Sequence, residues 1–301
     1  MSDRRLAGCL GVALMTAACA SPARQSSPPA PGATTTTKAA GRSPAIRSSR
    51  SGRSKGSTTT AFVGAATTTA AATGRAGGGA PPPSAADDGS RRGAGAFAPT
   101  ILRPQPAASV VVELLEQSGA GPSSSTVDHL VRVLRGTTGK PVRVSGPIDL
   151  PATDGQATDD EIRALADQYT GERQGGSQAV IHLVFLNGRY RADASVLGIA
   201  DRGDVAAVFH DQVRSAATPL VRASAIEDAV VEHEDGHLLG LVDLVLHTGR
   251  QDPGHPGHSR DKASVMYYAI DSDLITQVLD GPPPVDFDDA DRADLATIRT
   301  G

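Results

Sequence analysis

Residues 232–243 constrain the fold most, because they place two histidines at the spacing of an α-helix. His233 and His237 are four residues apart, so they lie on the same face of a helix. Two neutral imidazoles in this arrangement can bind one Zn²⁺ ion. Glu234 stands between them in sequence, where its carboxylate can take a proton from a water on that metal. The segment therefore predicts a helix that carries a metal site and a general base.

A third protein ligand is needed, because two histidines alone hold zinc weakly and catalytic zinc sites normally have three. Asp243 stands six residues after His237 and can return toward the metal as an oxygen ligand. His258 lies in the stretch that follows, which is rich in Gly, Pro, Asp and His and is expected to be irregular over residues 247–262. The residues leave Asp243 and His258 open as alternatives for the third ligand, and His255 and His247 are less favoured candidates.

The chain resembles the metzincin metallopeptidases, whose pattern is His-Glu-x-x-His-x-x-Gly-x-x-His/Asp followed by a methionine turn under the zinc. The resemblance implies a zinc-dependent peptidase with one catalytic Zn²⁺. It also implies a twisted mixed sheet with an active-site helix, a methionine turn and a C-terminal helix. The residues that carry it are His233, Glu234, His237, Gly240, Asp243 and Met266.

The same resemblance suggests roles for individual residues. Met266 would form the hydrophobic floor beneath the zinc. Tyr268, or Tyr267 in its place, would lie beside the metal and donate to the oxyanion that develops. Asp243 has the ligand spacing of the snapalysin-like branch, whereas a similarity to bacterial membrane-associated zinc metallopeptidases favours His258, eight residues before the methionine.

Hydrophobic patterning predicts an α/β (α+β) fold for residues 101–301, which are enough for one core. Residues 179–186 form the longest apolar run and are expected to be a central strand, with His182 packed in the core. Further strands are expected at residues 109–115, 141–144, 196–200 and 206–210. The resemblance to metzincins further implies that residues 197–209 supply the strand near the cleft that pairs with substrate.

Helices are predicted from spacing and from capping residues. Ser125 or Thr126 is expected to cap a helix over residues 126–134, and Thr158 to open one that reaches residue 169. The helix with the two histidines is expected to start at residues 218–219 or at a capping box formed by Ser224 and Glu227. Helices are also expected over residues 271–279 and 287–299.

The first 18 residues resemble a secretory signal, with two arginines before a short apolar stretch. The residues before Cys19 resemble a bacterial lipobox, so we expect lipidation of Cys19 and a membrane anchor; ordinary cleavage near Ala18 or Ala20 is the alternative. The other cysteine, Cys9, would leave with the signal. The folded part then has no cysteine, and any zinc ligands there must be histidines and carboxylates.

Residues 19–100 are dominated by Ala, Ser, Thr, Gly and Pro, so we expect a disordered tether. Its charges are mostly basic, which favours attraction to an anionic membrane or cell-wall polymer. Aromatic residues do not interleave with these charges, so we expect no nucleic-acid partner. The expected product is a monomeric, exported and lipid-anchored protein.

Three functions are compatible with these features. A zinc endopeptidase acting on a peptide or protein substrate is favoured, because a structural zinc site has no use for a general base such as Glu234. The alternatives are a surface-anchored binding protein with a structural zinc, and a zinc amidase that acts on the cell wall.

Overall fold

The computed structural model describes residues 89–279 and 281–301. The expected signal peptide (1–18), the lipidated Cys19 and the tether up to residue 88 lie outside the described residues. Within the described ranges, every helix is too short or too polar to cross a lipid bilayer.

Helices and strands alternate along the described chain. The helices are α1 (Ala98–Leu102), α2 (Ser124–Thr138), α3 (Asp159–Tyr169), α4 (His210–Ala216), α5 (Ala223–Leu238), α6 (Ile275–Val278) and α7 (Asp289–Thr300). The strands are β1 (Ser109–Gln117), β2 (Val142–Leu150), β3 (Gln156–Ala157), β4 (Gln178–Leu186), β5 (Arg189–Tyr190), β6 (Gly198–Arg202), β7 (Val205–Phe209), β8 (Gln251–Asp252) and β9 (His255–Ser259).

The main sheet has five strands in the order β2-β1-β4-β7-β6. Four of them run parallel, and β6 pairs antiparallel with β7 at one edge. Strand β4 lies in the middle, as its continuous apolar sequence predicts for a strand buried on both faces. The predicted α/β class with a mixed sheet is confirmed.

Each face of the sheet is covered by a separate hydrophobic cluster. One face packs against α2, α5 and α7 through residues such as Leu130, Val230 and Leu295. The other face packs against α3 through Ile162 and Ala166. His233 and His237 lie on α5 and therefore belong to the helical layer on the first face. Helix α5 contacts the edge strand β6.

Packed structure begins earlier than the predicted boundary at residue 101. Turns precede α1 from residue 89 onward, and Phe97 and Ala98 are fully buried in the main core. The predicted tether over residues 19–100 is therefore wrong for its last part. A short run with one phenylalanine and few other large apolar residues is too weak a pattern to reveal a packed helix from sequence.

The capping box of α3 is formed as predicted. The Thr158 hydroxyl accepts a hydrogen bond from the backbone N–H of Glu161, and the Glu161 carboxylate accepts one from the backbone N–H of Thr158. The prediction that His182 of the central strand is packed in the core is also confirmed. His182 is buried, and its Nδ1 lies 2.9 Å from the Glu113 carboxylate.

The predicted capping box of α5 is wrong. Its N-cap is Arg222, without a side-chain hydrogen bond, and Ser224 lies inside the first turn. The Glu227 carboxylate instead accepts hydrogen bonds from the backbone N–H of Ser123 at 3.0 Å and from the Thr126 hydroxyl at 2.8 Å. Ser123 is also the N-cap of α2, two positions before Ser125, the earlier of the two expected caps. Tertiary hydrogen bonds between α2 and α5 have taken the place of the local cap.

Two segments near the C-terminus differ from expectation. Residues 247–262, expected to be irregular, contain the antiparallel pair of β8 and β9. Residues 271–279, expected to be helical, form turns with only the short α6. The C-terminal helix is confirmed as α7, which begins with a capping box between Asp288 and Asp291.

Candidate metal centre

Helix α5 carries His233, Glu234 and His237 in its last two turns. His233 and Glu234 are almost completely buried, and His237 is partly buried. The helix ends at Leu238, and Gly240 follows with φ +82°, a conformation that glycine adopts readily after a helix C-terminus. The chain can therefore leave the helix sharply, directly after the second histidine.

The two histidines of α5 direct one ring nitrogen each toward the same point. The Nε2 atoms of His233 and His237 lie 3.1 Å apart. Two nitrogens on a tetrahedral zinc at about 2.0–2.1 Å are separated by about 3.3 Å. His233 Nδ1 donates a 2.7 Å hydrogen bond to the backbone carbonyl of Val265. This hydrogen bond fixes the tautomer of His233 and leaves its Nε2 lone pair free for a metal.

His258, on β9, completes a group of three histidines. One nitrogen from each of His233, His237 and His258 lies within 4.8 Å of the others. The ring centroid of His258 lies 5.2 Å from that of His233 and 5.1 Å from that of His237. Neither nitrogen of His258 has a hydrogen-bond partner among the described residues. Such orphaned nitrogens beside two others are what a metal site requires of its ligands.

Asp243, the other candidate, does not join this group. Its Oδ1 accepts hydrogen bonds from the backbone N–H of Thr248 at 2.7 Å and of Gly249 at 3.2 Å. Val242 and Asp243 adopt positive φ angles of 50° and 65°, which turn the chain away from the helix end. The structure therefore does not bring Asp243 together with the three histidines: its carboxylate holds the following turn together, in the manner of an Asx turn.

Glu234 occupies a buried position beside the histidines. The backbone N–H of Ala200, on the edge strand β6, donates a hydrogen bond to its carboxylate, whereas its Oε1 has no partner among the described residues. Burial raises the pKa of Glu234 well above its usual value, and the nearby negative charge of Asp271 raises it further. One carboxylate oxygen is thus anchored and the other is available to exchange a proton.

Gly198, also on β6, makes room for this carboxylate, and the sequence analysis did not identify it. A Cβ at Gly198 would lie 2.5 Å from Glu234 Oε1 and 2.7 Å from Val230 Cγ1. A side chain larger than hydrogen is therefore excluded here unless Glu234 moves. A glycine inside an expected strand indicates a close approach, but the approaching atom cannot be named from sequence.

Both helical histidines are held in the neutral form. Burial lowers the pKa of His233 to about 3, and the neighbouring His237 contributes in the same direction. Burial likewise lowers the pKa of His237 to about 3, with a further contribution from His258. Because only a neutral imidazole has a free lone pair, both side chains are ready to bind a metal near neutral pH.

The turn that contains Met266 lies directly against α5. Met266 is fully buried, and its side chain occupies the space that a Cβ at Gly236 would fill. The Ser264 hydroxyl donates a 3.0 Å hydrogen bond to the Asp291 carboxylate, and the backbone N–H of Ser259 donates a 2.7 Å bond to the Met266 carbonyl. The turn is therefore held by α7 on one side and by β9 on the other.

Tyr268 stacks on His255, with ring centroids 3.7 Å apart and planes within 3° of parallel. Tyr267 lies next to it, with a centroid distance of 4.6 Å, and is itself buried. These contacts join the turn of Met266 to the hairpin of β8 and β9. A role for Tyr268 or Tyr267 beside the metal stays a prediction.

Asp271 is the second residue of the site that the sequence analysis did not identify. Its carboxylate forms a further group with His233 and Glu234, within 4.8 Å of one another, and its Oδ2 lies 3.4 Å from His258 Nε2. It stands five positions after Met266, a spacing that belongs to no motif used above. Only the path of the chain after the methionine turn brings it to the site.

Comparisons with known proteins give structural matches only. No protein-family model and no curated protein matches the chain. Archaemetzincin from Methanopyrus kandleri matches at 20% identity and a TM-score of 0.43, covering 64% of this chain and 96% of that one. Archaemetzincin from Archaeoglobus fulgidus, complexed with malonate, matches at 16% identity and a TM-score of 0.36, covering 63% and 99%. A zinc-dependent peptidase from Methanocorpusculum labreanum matches at 16% identity and a TM-score of 0.38, covering 61% and 99%. At these values the likeness alone assigns no residue and no activity to this chain.

Proposed function

We propose that the chain is a zinc-dependent endopeptidase of the metzincin type, which hydrolyses peptide bonds in peptide or protein substrates. One observation carries the proposal. A buried carboxylate oxygen without a partner, Oε1 of Glu234, lies beside a group of three histidines that fits a metal. A structural metal site needs the histidines but has no need of such a carboxylate.

The donor set fits one zinc ion. His233, His237 and His258 would supply three nitrogens, which is the number of protein ligands normal for a catalytic zinc. Zinc, when bound, lowers the pKa of a coordinated water toward 7 and polarises a carbonyl oxygen. The described residues contain no cysteine, so the site has the nitrogen-rich character of a hydrolytic centre rather than a thiolate one.

Glu234 would act as general base and then as general acid. Its Oε1 takes the proton of the attacking water, and the same atom delivers it to the leaving amine. The hydrogen bond from the Ala200 N–H holds the carboxylate in place during both transfers. The apolar surroundings that raise its pKa also make it a stronger proton acceptor than an exposed carboxylate.

The edge strand β6 would bind the substrate backbone. Among the described strands it pairs with β7 alone, and at Gly198 it lies against the carboxylate of Glu234. An extended peptide added alongside this edge would pass directly in front of the base and the histidines. Such binding uses main-chain hydrogen bonds, which suits an endopeptidase because it does not require a free chain end.

Export and anchoring through Cys19 are part of the proposal and rest on the sequence alone. A Cys19→Ala variant should leave the membrane fraction, because the substitution removes the residue that carries the anchoring acyl chains. Retention of this variant in membranes would contradict the lipid anchor without affecting the proposed chemistry.

The proposed activity can be tested on two polymers. The mature chain is incubated with casein and with peptidoglycan, each with and without a chelator, followed by re-addition of zinc. We expect casein to be cleaved, the chelator to abolish cleavage and zinc to restore it, with peptidoglycan intact. Cleavage of peptidoglycan alone would favour the amidase. If neither polymer is cleaved and chelation only lowers stability, the zinc is structural.

A further inference from the structure

The backbone around Asp271 is fixed by hydrogen bonds where its side chain approaches His233 and His258. Its backbone carbonyl accepts a 2.7 Å hydrogen bond from the N–H of Leu197, and the N–H of Asp273 donates a 2.8 Å bond to the Ser195 carbonyl. These two bonds fasten the loop after the methionine turn to the segment that leads into β6. The side chain of Asp271 is 24% exposed, so it lies at the mouth of the site.

Asp271 faces His258 through a defined pair of atoms. Its Oδ2 lies 3.4 Å from His258 Nε2, and no other carboxylate of the described residues forms an ion pair with His258. The directional requirements of a hydrogen bond are not met in this arrangement, since both His258 nitrogens lack a partner. Hydrogen bonds of catalytic groups are often long or poorly aligned in the free protein and tighten only in its complexes.

Two roles are possible for a carboxylate at this position: a fourth metal ligand, or a partner that orients a ligand histidine. Four ligands of one tetrahedral ion are all about 3.3 Å apart. Among the described residues, Asp271 forms a group with His233 and Glu234, and no group contains both Asp271 and His237. A fourth ligand would have to lie close to all three histidines, and Asp271 is not grouped with His237. The remaining role for Asp271 is to orient a ligand histidine.

We propose that Asp271 positions His258 for the metal, by accepting the Nε2–H of its ring and leaving Nδ1 as the ligand nitrogen. The inference rests on the proposed function, because it needs a metal at the three histidines. Ligand histidines generally donate their second ring nitrogen to a carboxylate or a carbonyl. His233 does so through Nδ1 to Val265, and therefore presents the opposite nitrogen. The two histidines would thus bind one ion through different ring atoms.

A double-mutant cycle on zinc affinity tests this role without measuring activity. Zinc affinity is determined by competition with a chromogenic chelator for wild type, Asp271→Ala, His258→Ala and the double variant. Asp271→Ala should weaken zinc binding about 10–100-fold in the wild-type background. It should have almost no further effect when His258 is already absent, because the two residues act as a unit. Equal losses in both backgrounds would show that Asp271 acts independently of His258, and would overturn the inference.

Two further variants separate orientation from charge and from folding. Asp271→Asn keeps a hydrogen-bond acceptor, so it should retain most of the affinity that Asp271→Ala loses. Asp273→Asn removes the same charge from the same loop at an exposed position and should leave zinc affinity unchanged. Thermal unfolding of the zinc-free variants should match that of the wild type, since the loop is fixed by backbone bonds. An equal loss in Asp273→Asn would show a general charge effect and contradict the proposal.

The ring nitrogen of His258 gives a second and independent readout. In zinc-loaded protein, ¹⁵N chemical shifts should show His258 bound through Nδ1 and protonated at Nε2, with its signals assigned by their loss in His258→Ala. Metal on Nε2 would overturn the inference while the proposed peptidase stands. Absence of stoichiometric zinc from the wild type would instead overturn the proposed function itself.

Discussion

The side chain of Met266 lies in the space beside Gly236 where any other residue would place its Cβ. A Cβ built at Gly236 would also lie 3.1 Å from Met266 Cε and from Phe287 Cε1. Glycine inside a helix costs about 1 kcal/mol relative to alanine. Helix α5 accepts this cost between its two histidines because Met266 can then approach the helix backbone at Gly236.

Gly236→Ala should therefore destabilise the protein, by about 1–3 kcal/mol, despite the better helix propensity of alanine. The reason is overpacking against a fully buried methionine. Gly136→Ala is the matched control: it lies in α2, and a Cβ there meets nothing within 4 Å. This control should be neutral or more stable by up to about 1 kcal/mol. Chemical denaturation measures both, and a stable Gly236→Ala would contradict the close contact.

The third ligand is tested by two single variants. His258→Ala should weaken zinc binding strongly, because it removes one of three nitrogens. Asp243→Asn should leave zinc affinity within a few-fold of wild type, because the Asp243 carboxylate is engaged with Thr248 and Gly249. Equilibrium dialysis against a zinc buffer measures both affinities. The reverse order would restore Asp243 as the ligand and contradict the site described above.

Gly198→Ala should impair catalysis while leaving the metal in place. The added methyl group would displace Glu234 Oε1, and small misplacements of a catalytic group cost up to about 100-fold in rate. We expect kcat/KM on a peptide to fall roughly 10–100-fold with zinc stoichiometry unchanged. Gly93→Ala, where a Cβ meets nothing within 4 Å, is the control and should behave as wild type. Full activity of Gly198→Ala would show that the base does not depend on β6.

Acid stability should depend on Glu172. Arg143 donates hydrogen bonds to both carboxylate oxygens of Glu172, at 2.8 and 2.6 Å, and this pairing lowers the pKa of Glu172 from 4.5 to about 2. Since the folded state binds the proton less readily than the unfolded one, this contribution to stability is full above pH 4.5. It is lost as the pH falls toward 2.

Glu172→Gln should therefore unfold about 1 kcal/mol more easily than wild type at pH 7, with the difference shrinking steadily below pH 4.5. Urea denaturation over this pH range measures it. Asp160→Asn, whose side chain is 94% exposed, is the control and should show little difference at any pH. A Glu172→Gln effect that persists unchanged at pH 2.5 would mean that packing, rather than charge, is responsible.

Local patterns were sufficient for the elements whose signals are local. The central strand β4 follows from one continuous apolar run, and the start of α3 follows from Thr158 and Glu161, three residues apart. The helix with His233 and His237 was likewise evident from spacing. In these cases the interactions that decide the structure lie within a few residues of one another.

The third ligand and the remaining contacts of the site depend on the path of the chain. Spacing alone left Asp243 and His258 equivalent, and positive φ angles at residues 242 and 243 decide between them. Asp271 and Gly198 approach Glu234 only after the methionine turn and the edge strand have folded against α5. No periodicity records such contacts, and the glycine inside the expected strand indicates a close approach without naming the atom that approaches.

The base at Glu234 is the central claim, and Glu234→Gln tests it most directly. Zinc content, thermal unfolding and hydrolysis of a casein-derived peptide are measured on the same preparation of the variant and of the wild type. We predict stoichiometric zinc and an intact fold, with kcat lower by at least about 100-fold. Wild-type turnover by a zinc-loaded Glu234→Gln variant would contradict the proposed mechanism.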